Sequence, residues 1–348
     1  MALNIRDFEQ VTFCNDEKTG LSAIIAVHST ALGPAVGGCR MWNYATTDEA
    51  LTDALRLSKG MTYKASISGL NWGGGKSVII GDASKKTPAM LKKFGEYVNR
   101  NGGQYVTAKD VGINSADLMT IKSTSKYVLG IDGEKNSSGD PSPATAWGVY
   151  NGMKAAAKHA FGKDSLSGLT IAMQGLGAVS FGMLEFLTKE GAKIIGTDID
   201  AAKIEKAKKE FGITGVSVDA IYDAACDIFS PCALGASINE QTLPRIKAKV
   251  IAGAANNQLS TDEMGVAVMK RGMIYAPDYA INAGGLMNIY HESMVDGGYN
   301  KDRAFSHISQ VGATIDKILT RAKAENLPAS VVADRMAEER VKNAAQAR

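Results

Sequence analysis

Leu169–Asp198, LTIAMQGLGAVSFGMLEFLTKEGAKIIGTD, reads as a strand, a glycine turn, a helix and a second strand. LTIAMQ and KIIGTD are short apolar runs bounded by turn residues. Between them lie Gly175, Leu176, Gly177, Ala178, Val179 and Ser180, followed by the helix-patterned GMLEFLTKEG. Gly175 allows a tight turn, and Gly177 lets the backbone approach a pyrophosphate. The helix N-terminus beyond it offers unpaired N–H groups and a partial positive charge. Ser180 stands where Gly or Ala is usual, and is small enough to keep helix and strand close. Asp198 ends the second strand, 23 residues after Gly175. A carboxylate there accepts hydrogen bonds from ribose hydroxyls and repels a 2′-phosphate, so NAD is expected in preference to NADP.

The same rhythm continues outward. DAAKIEKAKKEFG reads as a helix, and CDIFSPCA and KVIAGAANN as further buried runs. Strands alternating with helices predict a parallel sheet with right-handed crossovers. Upstream, GIDGEKNSSGDPSP is the richest cluster of Gly, Ser, Asp and Pro and reads as an interdomain link. Pro143 suits the start of the long helix that follows it. Before the link, LSAIIAVHST, PAVGGCRMW, SVIIGD and GQYVTAKD read as strands and TPAMLKKFGEYVNR as a helix. Near the C-terminus, AFSHISQVGATIDKILTRAKAEN and SVVADRMAEERVKNAAQ each read as one helix.

Gly69–Ser77, GLNWGGGKS, ends like a nucleotide-triphosphate P-loop. The P-loop pattern requires its first glycine five residues before Gly75, where this chain has Leu70. The order is also reversed. The helix patterned by Leu51, Ala54, Leu55 and Ser58, with Thr46 and Glu49 as a capping box, comes first. The glycines read as a loop, and the strand SVIIGD follows. The segment is therefore read as a seat for Lys76.

Composition bounds the reading. The chain has 348 residues, 45% hydrophobic and 22% charged, enough for two globular domains. A net charge of +3 gives no reason to expect a nucleic-acid or membrane partner. MALNIRDFEQ carries charges where a signal peptide needs an apolar run, and no apolar stretch has membrane-spanning length. Cys14, Cys39, Cys226 and Cys232 form no C-x-x-C pair and read as thiols of a reducing compartment. His28, His159, His291 and His307 lack metal-ligand spacing. A cytoplasmic protein without a metal is expected.

Lys64 and Lys76 flank the glycines, and Asp110 ends the run TAKD. Near a nicotinamide this set suits an amino acid. One lysine remains charged and holds the α-carboxylate. The other, desolvated and beside a like charge, serves as a base, and the carboxylate takes up a proton from the amino group. Spacing does not say which lysine does which, or whether the three converge.

The chain resembles the amino-acid dehydrogenases that include the glutamate, leucine, phenylalanine and valine enzymes, most closely the leucine branch. LGPAVGGCRMW, ALRLSKGMTYKASISGLNWGGGKSVIIGD, TAKDVG, PSPATAWGVYNGMKAA, CDIFSPCALG, AKVIAGAANNQL, YAPDYAINAGGLMNI and ADRMAEER carry the resemblance, over nearly the whole chain. It implies an α/β protein of two domains separated by a cleft. Residues 1–134 would form a substrate-binding and oligomerisation domain, to which a helix of about 326–348 returns. Residues 135–325 would form the Rossmann-type NAD domain.

By the same resemblance, Lys64 binds the substrate carboxylate, Lys76 activates water and Asp110 exchanges protons with the substrate nitrogen. Asn282 and Gly37 help hold the substrate, and Val36, Ala108, Leu286 and Ile289 line its side-chain pocket. Thr145, Ala233 and Asn257 join Gly175, Gly177, Ala178, Val179 and Asp198 on the cofactor. Glutamate-specific members place a lysine where this chain has Val36 and a hydroxyl where it has Ile289. The implied reaction is reversible oxidative deamination of leucine, valine and isoleucine by a homo-octamer. Phenylalanine or valine dehydrogenase activity is the alternative.

Overall fold

The computed structural model describes residues 4–293 and 298–347. Two compact units emerge. One takes the described residues of Met1–Gly139, Ile289–Asn300 and Ala337–Arg348; the other takes Asp140–Asn288 and Lys301–Met336.

The first unit is built on a five-stranded sheet. Its strands are β1 (Gln10–Asp16), β2 (Leu21–Ser29), β3 (Ala35–Trp42), β4 (Gly73–Ile80) and β5 (Tyr105–Lys109), in the order β1-β2-β4-β3-β5. β1 and β2 pair antiparallel, as do β2 and β4, while β3 runs parallel to both β4 and β5. Helix α1 (Thr47–Ile67) joins β3 to β4, and α2 (Pro88–Arg100) and α3 (Ser115–Lys122) flank β5 in sequence. The period-two pattern of β2 divides the core. Ile24 and Ala26 pack with Ala50, Ala54 and Leu55 of α1. Ala23, Ile25 and Val27 pack with Leu91 and Phe94 of α2 and Leu118 of α3. The edge strand β1 has a weak sequence signal, since its few apolar residues are interspersed with Gln, Thr, Asn and Asp.

Helix α1 is N-capped by Thr46 as expected, with Glu49 reaching one residue beyond the N-cap. Thr46 Oγ1 accepts from the Glu49 N–H at 3.1 Å, and Glu49 reaches back to the Ala45 N–H at 3.0 Å. Its buried face is mostly small: Ala50, Ala54, Ser58, Thr62 and Ala65. That face explains a correction to the sequence reading, because Gly73–Gly75 is the start of β4 and not a loop. A Cβ on Gly74 would lie 2.0 Å from the Thr62 nitrogen, and one on Gly73 2.0 Å from the Ser29 carbonyl oxygen. On Gly75 it would meet the Tyr105 ring at 2.6 Å. The glycines are the residues that let a helix, a neighbouring strand and an aromatic ring close on one strand.

The second unit begins with α4 (Ser142–Phe161), which has a proline in its first turn. It continues through β6 (Thr170–Gln174), α5 (Ala178–Lys189), β7 (Lys193–Thr197), α6 (Ala201–Phe211), β8 (Thr214–Gly215), β9 (Ile228–Pro231), β10 (Val250–Ile251), α7 (Asp262–Lys270) and β11 (Ile274–Tyr275). Read from β8, the sheet order is β8-β7-β6-β9-β10-β11, and every pairing is parallel. This is the doubly wound dinucleotide-binding order, with β6 at the switch point.

After β11 come α8 (Asp278–Ile281), α9 (Gly284–Ser293), α10 (Lys301–Ile308), α11 (Val311–Glu325) and α12 (Ala329–Gln346). The run read as one helix from Ala304 is divided between α10 and α11. At the break Ser309 Oγ donates to the Ser306 carbonyl, and the Gln310 N–H turns to His307. Both α9 and α12 begin in the second unit and end in the first. Among the described residues no helix is long and apolar enough to cross a membrane.

Candidate active site

In the first unit the three parallel strands β4, β3 and β5 carry most of the expected substrate residues. Lys76 lies on β4, and its side chain is only 8% exposed. Asp110 directly follows β5. The structure brings them together, with Lys76 Nζ donating to Asp110 Oδ2 in an ion pair. The other carboxylate oxygen, Oδ1, accepts from the Val111 N–H at 2.7 Å. Burial alone would raise the Asp110 carboxyl. The Lys76 and Arg40 charges and the two hydrogen bonds outweigh burial and hold it below its ordinary range.

Val36 and Gly37 lie on β3 and Ala108 on β5, with Val36 paired to Gly74 and Gly37 to Thr107. Val36 and Ala108 are buried. A Cβ on Gly37 would fall 1.7 Å from the Gly75 carbonyl oxygen, so this position too is set by close backbone approach. Tyr105 Oη donates to the Gly37 carbonyl at 2.8 Å and lies 2.9 Å from Ser77 Oγ, fixing the strand beneath Lys76. Lys64 is half-buried in the last turn of α1. Ile289, on α9, belongs to this unit.

Sequence reasoning missed Arg40 and Asp53. Arg40 Nη1 donates to Asp53 Oδ2 at 2.9 Å, and Arg40 Nε lies 3.5 Å from Asp110 Oδ2. Arg40 stands inside the quoted run GGCRMW, but its link to Asp53 on α1 is visible only in three dimensions.

The second unit holds Asn282 and Leu286 and all eight expected cofactor residues. Asn282 Nδ2 donates to Asn256 Oδ1 at 2.8 Å and to the Ala254 carbonyl at 3.1 Å. Leu286 is half-buried on α9. Gly175 has φ of +98°, a left-handed backbone that favours glycine, and a Cβ there would lie 2.8 Å from the Ala233 nitrogen. Ser180 Oγ donates to the Gly175 carbonyl at 2.7 Å, which ties helix α5 to the turn. Asp198 is engaged with the same turn. Its Oδ2 accepts from the Leu176 N–H at 2.8 Å and its Oδ1 from the Asp200 N–H at 2.9 Å, and Lys203 Nζ lies 3.5 Å away. Thr145 Oγ1 is turned to the Pro141 carbonyl, and Asn257 has a left-handed backbone at φ +50°.

The glycine turn suits a dinucleotide on a structural test. Gly177 caps α5 with no side-chain hydrogen bond. A Cβ on it would meet nothing within 4 Å, which leaves room beside the helix start for a group that approaches the backbone closely. Among the described residues no group of three or more His, Cys, Asp and Glu side chains could hold a metal ion. All four cysteines are free thiols.

Comparison with known proteins adds to this geometry. Residues 8–127 match the family described as Glu/Leu/Phe/Val dehydrogenase, dimerisation domain. Residues 137–348 match Glutamate/Leucine/Phenylalanine/Valine dehydrogenase. Leucine dehydrogenase of Geobacillus stearothermophilus is 53% identical over 98% of this chain and 93% of its own length. Phenylalanine dehydrogenase of Bacillus thermotolerans is 43% identical over 97% and 89%. The crystal structure of L-tryptophan dehydrogenase from Nostoc punctiforme superposes with a TM-score of 0.88 at 39% identity, covering 97% of each chain.

Proposed function

Since the chain belongs to the glutamate/leucine/phenylalanine/valine dehydrogenase family and is an amino-acid dehydrogenase using a nicotinamide cofactor, we propose that it catalyses the reversible, NAD-dependent oxidative deamination of leucine, valine and isoleucine. The observation that carries this reading is the buried Lys76–Asp110 pair, set on strands that also bear the apolar Val36 and Ala108.

In this reading Lys64 holds the substrate α-carboxylate, helped by Asn282 and Gly37. Gly175, Gly177, Ala178 and Val179 hold the cofactor pyrophosphate. Asp198 takes the adenosine ribose, and Thr145, Ala233 and Asn257 serve the rest of the dinucleotide. NAD held there would supply the acceptor for the hydride that leaves the substrate Cα. Lys76 takes a proton from the water that adds to the resulting iminium carbon. Asp110 exchanges protons with the nitrogen as the carbinolamine collapses to a 2-oxo acid and ammonia. A lysine seated on a strand, with a carboxylate against it, starts each turnover already oriented.

Val36, Ala108, Leu286 and Ile289 present no cation, so a glutamate γ-carboxylate would be buried unpaired at a cost of several kcal/mol. The 50–53% identity to leucine dehydrogenases supports the same choice. The relatives' family domain, described as a dimerisation domain, supports an assembly, and we extend this to a cytoplasmic homo-octamer. NADH formation measured across leucine, valine, isoleucine, phenylalanine and glutamate, with NAD and with NADP, tests the reading. The three branched substrates should have kcat/KM at least about tenfold above phenylalanine, with glutamate lower still and NAD preferred. A preference for phenylalanine overturns the pocket assignment, and equal use of NADP overturns the role of Asp198.

A further inference from the structure

We infer that Arg40 is a positioning residue for the reaction, holding the Asp110 carboxylate ionised and turned toward Lys76, with Asp53 as its outer anchor. The inference rests on the reading of Asp110 as the group that exchanges protons with the substrate nitrogen.

Four charges alternate in sign along a chain of contacts: Lys76 on β4, Asp110 after β5, Arg40 on β3 and Asp53 on α1. The inner oxygen, Asp110 Oδ2, faces both Lys76 Nζ and Arg40 Nε. Arg40 Nε is buried and makes no hydrogen bond among the described residues, although it lies 3.5 Å from that oxygen. Leaving a buried guanidinium donor unpaired is costly. Its position is held from the other end. Arg40 Nη1 donates to Asp53 Oδ2 at 2.9 Å, the same oxygen takes the Tyr44 hydroxyl at 2.7 Å, and Arg56 Nη2 donates to Asp53 Oδ1 at 2.9 Å. Tyr44 and Arg56 fix Asp53, Asp53 holds the outer end of Arg40, and Nε is thereby kept 3.5 Å from Asp110 Oδ2.

The chemistry gives this arrangement a use. A guanidinium stays protonated throughout the working range, whereas a base must give up and regain its proton. With Lys76 as the only cation beside it, Asp110 would lose its counter-charge whenever Lys76 is neutral. Arg40 supplies one that does not vary. Two further titratable groups feel the Asp110 charge, the Cys39 thiol on β3 and the Tyr105 phenol on β5. Burial pushes both upward, Cys39 to about 12, so both stay neutral in the working range. Asp117 on α3 is paired with Lys86.

The test is the pH profile of kcat/KM for leucine with NAD. Arg40→Met should move its acid limb upward by about one pH unit, the effect of removing an opposite charge within about 6 Å. Arg40→Lys should restore most of the shift. Asp53→Asn, which removes a negative charge behind Arg40, should move the limb the other way. A structural role alone would lower activity without these opposed shifts. If Arg40→Met does not fold, Asp53→Asn decides, and a limb that stays or moves upward overturns the inference. Asp110→Asn separates the two claims. Near-normal turnover in that variant removes the underlying reading. An inactive Asp110→Asn with an unmoved limb in Arg40→Met removes only the role of Arg40.

Discussion

At Gly73–Gly75 the backbone is extended and enclosed by Ser29, Thr62 and Tyr105; at Gly175–Gly177 it turns, and beyond Gly177 there is open space. Both runs are glycine-rich and both lie beside residues given a part in the reaction. In the first, the places of the absent side chains are filled by the protein's own backbone and by the Tyr105 ring. In the second, Gly175 provides a left-handed turn packed on Ala233, and Gly177 leaves room that the protein does not fill. Glycine content alone therefore says little about ligands. What separates a packing glycine from a binding glycine is which atoms occupy the missing Cβ's place.

Adding a methyl group at each place should break the molecule in different ways. Gly74→Ala sets a Cβ 2.0 Å from the Thr62 nitrogen and 2.5 Å from the Ser58 carbonyl oxygen. Those are backbone atoms of α1, which cannot swing aside, so the helix must leave the sheet. A loss on the order of 3 kcal/mol or more is expected, because overpacking here is relieved only by moving an element. Thermal unfolding should show it as a Tm lower by about 10 °C, or as an insoluble chain. A Tm within about 2 °C of the parent would show that β4 and α1 are not locked by that contact.

Gly177→Ala should give the converse. Its backbone, φ −84° and ψ −174°, suits alanine, and no atom lies within 4 Å of the added carbon. The fold should stay, with Tm within about 2 °C, while affinity for NAD falls at least about tenfold because the methyl group stands where the pyrophosphate approaches. Titration of NADH fluorescence measures this. Unchanged affinity would mean that the open space at Gly177 is not the cofactor's.

The contrast also explains what the sequence made legible. In the second unit β6, β7, β9 and β10 and helices α4, α5 and α6 announce themselves by local pattern, and their alternation predicts parallel pairing, whereas the two-residue strands β8 and β11 are too short to carry a pattern. The turn at Gly175 carries its own signals within thirty residues. Gly73–Gly75 does not: by composition it is a loop, and only Thr62, Ser29 and Tyr105, distant in sequence, make it a strand. Lys76 and Asp110 were recognisable as chemically useful residues, but their pairing spans 34 positions and depends on β3 lying between their strands. Arg40, Asp53 and the grouping of Ile289–Asn300 with the first unit are likewise products of tertiary packing, with no periodicity to reveal them.

The most gradual expected effect is a pH dependence seated on β2, beside the enclosed glycine strand. Between β2 and β4 the register shifts, with Val27 opposite Gly75 and Ser29 opposite Gly74, so His28 is the extra residue of a bulge. Its Nδ1 lies 2.8 Å from Thr62 Oγ1, against the same residue on which Gly74 packs, and its ring meets Phe8 edge-on. Burial, aided by the Lys59 charge, lowers its pKa to about 4 from 6.5. The folded-state value lies below the unfolded one, so the unfolded chain takes up the proton first. Stability is therefore fully present above the unfolded pKa, falls as pH drops from about 6.5 toward 4, and levels off below that. Between pH 7 and pH 5 the loss should be about 2 kcal/mol. The glycine turn of the second unit has no histidine counterpart; the carboxylate bonded to it, Asp198, is held below its ordinary range and stays charged over that interval. His28→Asn, which keeps a polar atom near the Nδ1 position, should flatten the urea midpoint of the first unit between pH 7 and 5 while leaving NADH affinity at pH 7 unchanged. An equally steep fall in the variant would place the acid sensitivity elsewhere and detach it from the bulge.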